Sequence, residues 1–389
     1  MLLSSNKGQS QGRSEKEPSL MPTPNPWILK LHFSSYRELW PIQDLLPSHL
    51  PLIRLDANEN GLGLSPLALE AIRQAATESH RYPEISGEGL RELVAVQLGA
   101  APEQIVLGNG STELIELLFH VFLRSRQEEV VIPRYSFPLY GILAQRFGCR
   151  VQIAPDRNFS VDLENLGRAI TPRTRLVFLA NPNNPTGTRV ENAALLEFAK
   201  SLPPRVLLAL DEAYADFLED PPNLVAAIRD GAPIVALRTF SKLYSLASLR
   251  LGYALASHEI ARAIQKASLP TNTSGVAHKA AIAALNDRHH QKQSKETVRV
   301  GRLRLERCFE ELGIDWIPSA ANFIMVRIPQ AEEVWKALVR RGVLVRSLES
   351  WELPGWLRVT VGRPEELLQF AGCLHAAIRE VHPRQPALA

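Results

Sequence analysis

Three apolar runs without a polar face constrain this chain more than any other feature: residues 176–180, 206–210 and 233–237. Five residues are too few for an independent helix, and a strand apolar on both sides must be covered on both sides. Each run stops where chemistry becomes possible. The first leads into Asn181-Pro-Asn-Asn-Pro-Thr-Gly187, the second closes on Asp211-Glu-Ala-Tyr214, and the third opens into Arg238-Thr-Phe-Ser-Lys242.

The flanking pattern agrees. Short apolar runs at 105–107, 130–132 and 252–255 alternate with helical periodicity at 112–123 and 137–147, preceded by helical spacing at 66–79 and 90–98. This alternation predicts an α/β class: a mostly parallel sheet with helices on both faces, in a large domain over residues 65–275. The texture then changes. A long charged helical stretch at 291–312, strands at 323–328, 343–345 and 356–361, and helices at 331–341 and 364–378 read as a smaller α+β domain over 276–385. An N-terminal segment, 27–64, with a short strand at 52–55, is expected to join it. Residues 1–26 are polar and read as a disordered extension.

Composition excludes several classes. With 389 residues, 45% of them hydrophobic, the chain can bury two cores, and a net charge of +3 makes no field for nucleic acid or a membrane surface. No apolar run approaches the ~18 residues of a membrane span. Cys149, Cys308 and Cys373 have neither disulfide-framework nor metal-ligand spacing, which suits a reducing, cytoplasmic compartment and no metal.

In open α/β sheets ligands sit beyond the carboxyl ends of the strands. There the chain offers the amine of Lys242, the carboxylate of Asp211 and the amide of Asn184. These match the needs of pyridoxal 5'-phosphate: an amine for its aldehyde, a carboxylate for its ring nitrogen, a phosphate cradle and a ring clamp. Gly108-Asn-Gly-Ser-Thr-Glu113 follows a strand and opens a helix, so Ser111 and Thr112 stand at an anion-binding helix start. Ser241 and Arg250 flank the lysine. Tyr214 and Asn184 can reach the ring oxygen, and Tyr135 can stack on the ring. Arg358 and Arg346 lie in or beside apolar strands and need anionic partners. Taken singly, each has a plainer reading: a solvated lysine, a capping aspartate, a turn asparagine, helix-capping hydroxyls, a core tyrosine, arginines in structural ion pairs.

Together the motifs resemble the fold-type I, class I/II pyridoxal phosphate aminotransferases over residues 36–378. Within them, Leu55-Asp-Ala-Asn-Glu-Asn60, His80-Arg-Tyr-Pro-Glu84, Leu107-Gly-Asn-Gly-Ser-Thr-Glu-Leu-Ile-Glu-Leu117 and Ala321-Asn-Phe-Ile324 resemble the histidinol-phosphate aminotransferases. The resemblance implies transamination of histidinol phosphate with 2-oxoglutarate, in histidine biosynthesis, by a homodimer with shared sites. Amino and keto acids would be its substrates, with no nucleic-acid or membrane partner. Lys242, Asp211 and Tyr214 would be catalytic. Ser111, Thr112, Ser241 and Arg250 would hold the cofactor phosphate, with Tyr82 reaching the phosphate of the partner's site. Tyr135 and Asn184 would bind the ring. Arg358 and Asn322 would meet a carboxylate, Arg346 the substrate phosphate, and Tyr36 would line the substrate pocket. The chain departs from that pattern at Asn60-Gly-Leu-Gly63 and at Ser347 after Arg346. Aromatic aminotransferases and threonine-phosphate decarboxylases on the same scaffold therefore stay open, and more distantly a non-catalytic sensing module.

Overall fold

The computed structural model describes residues 51–382, with Ile28 alone before them. The expected extension over 1–26, most of the 27–64 segment and Tyr36 lie outside the described residues.

The chain runs β1 (Ile53–Leu55), α1 (Pro66–Ala76), α2 (Glu88–Leu98), β2 (Ile105–Gly108), α3 (Gly110–Phe122), β3 (Glu129–Pro133), α4 (Leu139–Phe147), β4 (Arg150–Ala154), α5 (Leu163–Arg168) and β5 (Thr174–Ala180). Next come α6 (Asn192–Ser201), β6 (Leu207–Asp211), α7 (Leu224–Arg229), β7 (Ile234–Thr239), β8 (Gly252–Leu255), α8 (His258–Ala267), α9 (Gly275–Asn286) and α10 (Arg288–Glu311). It finishes with β9 (Trp316–Ile317), β10 (Phe323–Arg327), α11 (Ala331–Arg340), β11 (Val343–Ser347), β12 (Trp356–Thr360) and α12 (Pro364–Val381).

Seven strands form one sheet in the order β2-β8-β7-β6-β5-β3-β4. All its pairings are parallel except those of β8, which runs antiparallel to β2 and β7. The absence of a polar face in the central strands has a direct cause. Val177, Leu179, Leu208, Leu210, Ile234 and Ala236 enter one core, while their neighbours Leu176, Phe178, Leu207, Ala209, Val235 and Leu237 enter another on the opposite face. Each such fully buried Leu, Val, Ile or Phe side chain contributes roughly 1.5–3 kcal/mol of transfer free energy. Asp211 pairs with Ala180 on one side and Leu237 on the other. The three chemistry-bearing strand ends are therefore level at one edge.

Five strands make a second sheet, β1-β11-β12-β10-β9, with β1 parallel to β11 and the other pairs antiparallel. Its core gathers Leu55, Phe309, Ile324, Val326, Leu338, Val345, Val359 and Phe370.

The sequence reading does not place strand β9 or helices α5 to α8, and two further differences have a clear cause. The edge strand β4 is additional: Ile153 is 61% exposed and Arg150 is exposed, so it lacks the apolar signature of a buried strand. The changeover between cores also falls later than residue 275. Helix α9 sends Ala277, Ala280, Ala281, Ala284 and Leu285 into the first core, so the division comes where α10 begins. A helix this rich in alanine packs closely against α1 and carries no charge pattern to mark its allegiance.

Candidate active site

At the carboxyl edge of the large sheet lies a cavity of about 330 Å³, bordered by the second sheet and lined by Lys242, Asp211, Tyr214, Asn184, Arg346 and Arg358 among others. A wider cleft of about 840 Å³ follows α10, but its lining is a set of exposed, partly paired charges with no nucleophile beside a base. Chemistry therefore belongs to the smaller cavity.

Lys242 leaves the turn after β7, anchored by the fully buried Phe240, whose N–H donates to Leu251 O at 3.0 Å. Its Nζ donates to Ala57 O at 3.0 Å and lies 5.9 Å from the Tyr214 ring centre. Burial, then the charge of Arg358, lowers its proton affinity to a pKa of about 8. Asp211, only 5% exposed, ends β6. Its Oδ1 accepts the Ala213 N–H at 3.0 Å and its Oδ2 accepts the Tyr140 hydroxyl at 2.7 Å. Burial pushes this carboxyl up, opposed by those two donors and by Lys242. Both groups are thus drawn toward neutrality by desolvation, the usual signature of residues placed for proton work.

Tyr214 stands edge-on to Phe323, with ring centres 5.2 Å apart, and its hydroxyl accepts from Asn58 Nδ2 at 2.9 Å. Asn58 donates its own N–H to Thr360 Oγ1 at 3.0 Å, and Asn322 Nδ2 donates to Asn58 O at 3.0 Å. Asn322 is fully buried and shapes this wall from behind.

Arg358, 4% exposed in β12, donates through Nη1 to Asn184 Oδ1 and through Nη2 to Asp56 O at 2.9 Å. Arg346 pairs directly across from it on β11. The two guanidinium carbons lie 5.8 and 5.9 Å from the Trp351 ring centre. Like charges facing each other across a strand pair are destabilising. The charge of Arg346 also acts on the buried Asp56 carboxylate, and both guanidiniums line the cavity, so this end of it is cationic.

The opposite end is an anion cradle. A Cβ at Gly110 would come within 2.6 Å of Arg250 Nη2, and one at Gly252 within 2.7 Å of Ser111 N. Backbone and guanidinium therefore close around the start of α3 with no room for a side chain. Ser111, Thr112, Ser241 and Arg250 all line the cavity there. Backbone N–H groups at a helix start, hydroxyls and an arginine are the donors a phosphate takes. With an amine and a buried carboxylate between the two anion ends, the donor set fits pyridoxal phosphate.

Other expected residues lie elsewhere. Tyr135 does not line the cavity; its ring stacks on Phe159 at 5.9 Å, and its N–H donates to Asp156 Oδ2 at 2.8 Å. Phe137, two residues on, forms the cavity wall instead. Strand β3 ends at Pro133, and the turn into α4 gives the inward position to Phe137. Tyr82 is 90% exposed, beside a separate cleft with His278 and Lys279. Asn58, Phe137, Tyr140 and Trp351 are the site residues that sequence reasoning missed. Only Asn58 carried a signal, as part of the quoted Leu55–Asn60 motif. Among the described residues no His/Cys/Asp/Glu cluster could hold a metal, and no helix is long and apolar enough to cross a membrane.

A lysine delivered at the carboxyl edge of a sheet with this strand order, beside a buried aspartate, defines the class of fold-type I pyridoxal phosphate-dependent transferases. Residues 51–374 match the family model of class I and II aminotransferases. The chain belongs to that family and, within it, with the histidinol-phosphate aminotransferases. It is 40% identical over 316 residues to the histidinol-phosphate aminotransferase of Akkermansia muciniphila, covering 81% of this chain and 87% of that one. Against the enzyme of the same name from Moorella thermoacetica it is 42% identical over 334 residues, 85% of each chain. The crystal structure of histidinol-phosphate aminotransferase from Sinorhizobium meliloti in complex with pyridoxal-5'-phosphate matches with a TM-score of 0.85 at 29% identity, covering 93% of this chain and 99% of that one.

Proposed function

We propose that this chain transfers an amino group between histidinol phosphate and 2-oxoglutarate, yielding imidazole acetol phosphate and glutamate. The observation that carries this reading is the cavity itself, where Arg346 and Arg358 stand at one end, Lys242 and Asp211 in the middle, and the Ser111, Thr112, Ser241 and Arg250 cradle at the other. Relatives of this name at about 40% identity support it.

When bound, pyridoxal phosphate holds the substrate's amino group and accepts electrons released at the substrate's α-carbon. The chain's residues do the rest. Lys242 Nζ would hold the cofactor through its aldehyde and, as the amine lining the cavity, would carry the substrate's α-proton. Asp211 keeps the ring nitrogen protonated. Asn184 and Tyr214 bind the ring oxygen, and Phe137, rather than Tyr135, covers the ring face. Ser111, Thr112, Ser241 and Arg250 hold the phosphate. Arg358 takes glutamate's carboxylate and Arg346 the phosphate of histidinol phosphate. We read the protein as a cytoplasmic homodimer in which the exposed Tyr82 reaches the phosphate of the partner's site.

Steady-state turnover with histidinol phosphate, phenylalanine and threonine phosphate, each with 2-oxoglutarate, tests the substrate. Histidinol phosphate should exceed phenylalanine by at least about 100-fold in kcat/KM. Preference for phenylalanine, or release of carbon dioxide from threonine phosphate, would overturn the assignment.

The lowered proton affinity of Lys242 gives a pH prediction. Only the neutral amine attacks an aldehyde, so the rate of cofactor attachment to apoenzyme should rise with pH and level off above about 8. An ordinary lysine would level off near ~10.4. Between those values the unfolded chain holds the proton and the folded chain does not, so apoenzyme stability should rise with pH across that window. Stopped-flow absorbance and thermal melts, compared with Lys242→Met, measure both.

A further inference from the structure

Tyr140 is fully buried in α4, and it is not among the residues lining the cavity. Its ring is held on two sides. Phe178 stacks at 4.7 Å and 14°, and Phe137 meets it edge-on at 5.8 Å and 87°. Phe178 is itself stacked on Phe119 at 5.5 Å. The hydroxyl therefore has one fixed place, and there it donates to Asp211 Oδ2 at 2.7 Å. A buried tyrosine needs some partner for its hydroxyl, and a carbonyl would serve. This one is aimed at the carboxylate of the cavity. Each carboxylate oxygen accepts about two hydrogen bonds. Ala213 N–H occupies one site on Oδ1 and Tyr140 one on Oδ2, which leaves acceptor capacity on both.

We propose that Tyr140 is a positioning residue for the cofactor, holding Asp211 as an oriented carboxylate against the ring nitrogen. The proposal rests on the reading that Asp211 faces that nitrogen. The Phe137 ring, in the turn just ahead of α4, meets the phenol edge-on. The grip on the ring's nitrogen edge and the clamp on its face are therefore set by one rigid aromatic group. Without the hydroxyl, Asp211 keeps a single donor in a buried place and yields its charge more readily, so its hold on a protonated ring nitrogen weakens.

The test is Tyr140→Phe, which retains the ring packing. Loss of a hydrogen bond to a charged group predicts cofactor binding to apoenzyme about tenfold weaker by absorbance titration. A protonated ring nitrogen withdraws electrons from the linked lysine nitrogen. The pH at which the visible band of the holoenzyme changes colour should accordingly move up, by about half a unit or more. Placing 3-fluorotyrosine at 140, a stronger donor, should move it down. In Asp211→Asn, adding Tyr140→Phe should change cofactor affinity no further, because the phenol acts through that carboxylate. A wild-type band with an unmoved midpoint and unchanged affinity in Tyr140→Phe would overturn the proposal, as would additive losses in the double variant. If wild-type protein attached no cofactor at Lys242, the functional reading itself would fail instead.

Discussion

Lys242→Ala should abolish covalent attachment of the cofactor and lower turnover by at least about 10⁴-fold. A positioned proton carrier alone is worth up to about 10⁴ in rate, and in the proposed function this amine also binds the cofactor. Lys242 is the only lysine lining the cavity among the described residues, so no neighbour can substitute. Borohydride reduction followed by peptide mass spectrometry reads the attachment, and coupled assays read the turnover. The variant should regain part of its rate with a small primary amine in solution, which restores a proton carrier without the tether. A variant that retained both the visible absorption band and turnover would sink the assignment of this residue.

Arg358→Gln separates the two half-reactions. Truncating one member of a buried, charge-assisted pair costs roughly 3–4 kcal/mol, or about 10²–10³ in kcat/KM. That loss should fall on glutamate and 2-oxoglutarate, whose carboxylates this guanidinium meets in the proposed function. Histidinol phosphate has no carboxylate, and its half-reaction should stay within about tenfold. Arg346→Gln should show the reverse asymmetry. Single-half-reaction spectra in a stopped-flow instrument distinguish the two. Equal losses in both half-reactions from Arg358→Gln would contradict the proposed division between the two arginines.

Much of the architecture was legible because the central strands leave no ambiguity. A run such as Leu-Val-Phe-Leu-Ala with both faces apolar has to be an interior strand, and the polar residue ending it has to emerge at the carboxyl edge. Ser111, Thr112, Ser241 and Arg250 were legible for a related reason: they belong to local turns whose shape their own neighbours determine. What stayed hidden depends on contacts far apart in the chain. Tyr140 lies 71 residues from Asp211, and Asn58 lies 302 residues from Thr360. Nothing in helical or strand periodicity encodes which buried hydroxyl finds which carboxylate. Tyr135 and Phe137 illustrate the finer limit. Both are aromatic and two residues apart, and only the path of the turn after Pro133 decides which one faces the ligand. Strand β4 was obscured by its edge position, where water accepts polar residues that an interior strand would refuse.

The stretch from Ala57 to Asn60 belongs to neither sheet yet is fastened to both. Ala57 O receives the lysine amine, and Asn58 is bonded to Tyr214 on one side and to Thr360 and Asn322 on the other. Asn60 Nδ2 reaches both Leu243 O, beside the lysine, and Ser294 Oγ on α10. The same four residues thus tie the smaller lobe to the amine of Lys242 and the phenol of Tyr214. One short stretch of backbone acts as a clip that keeps lysine, phenol and smaller lobe in a common register.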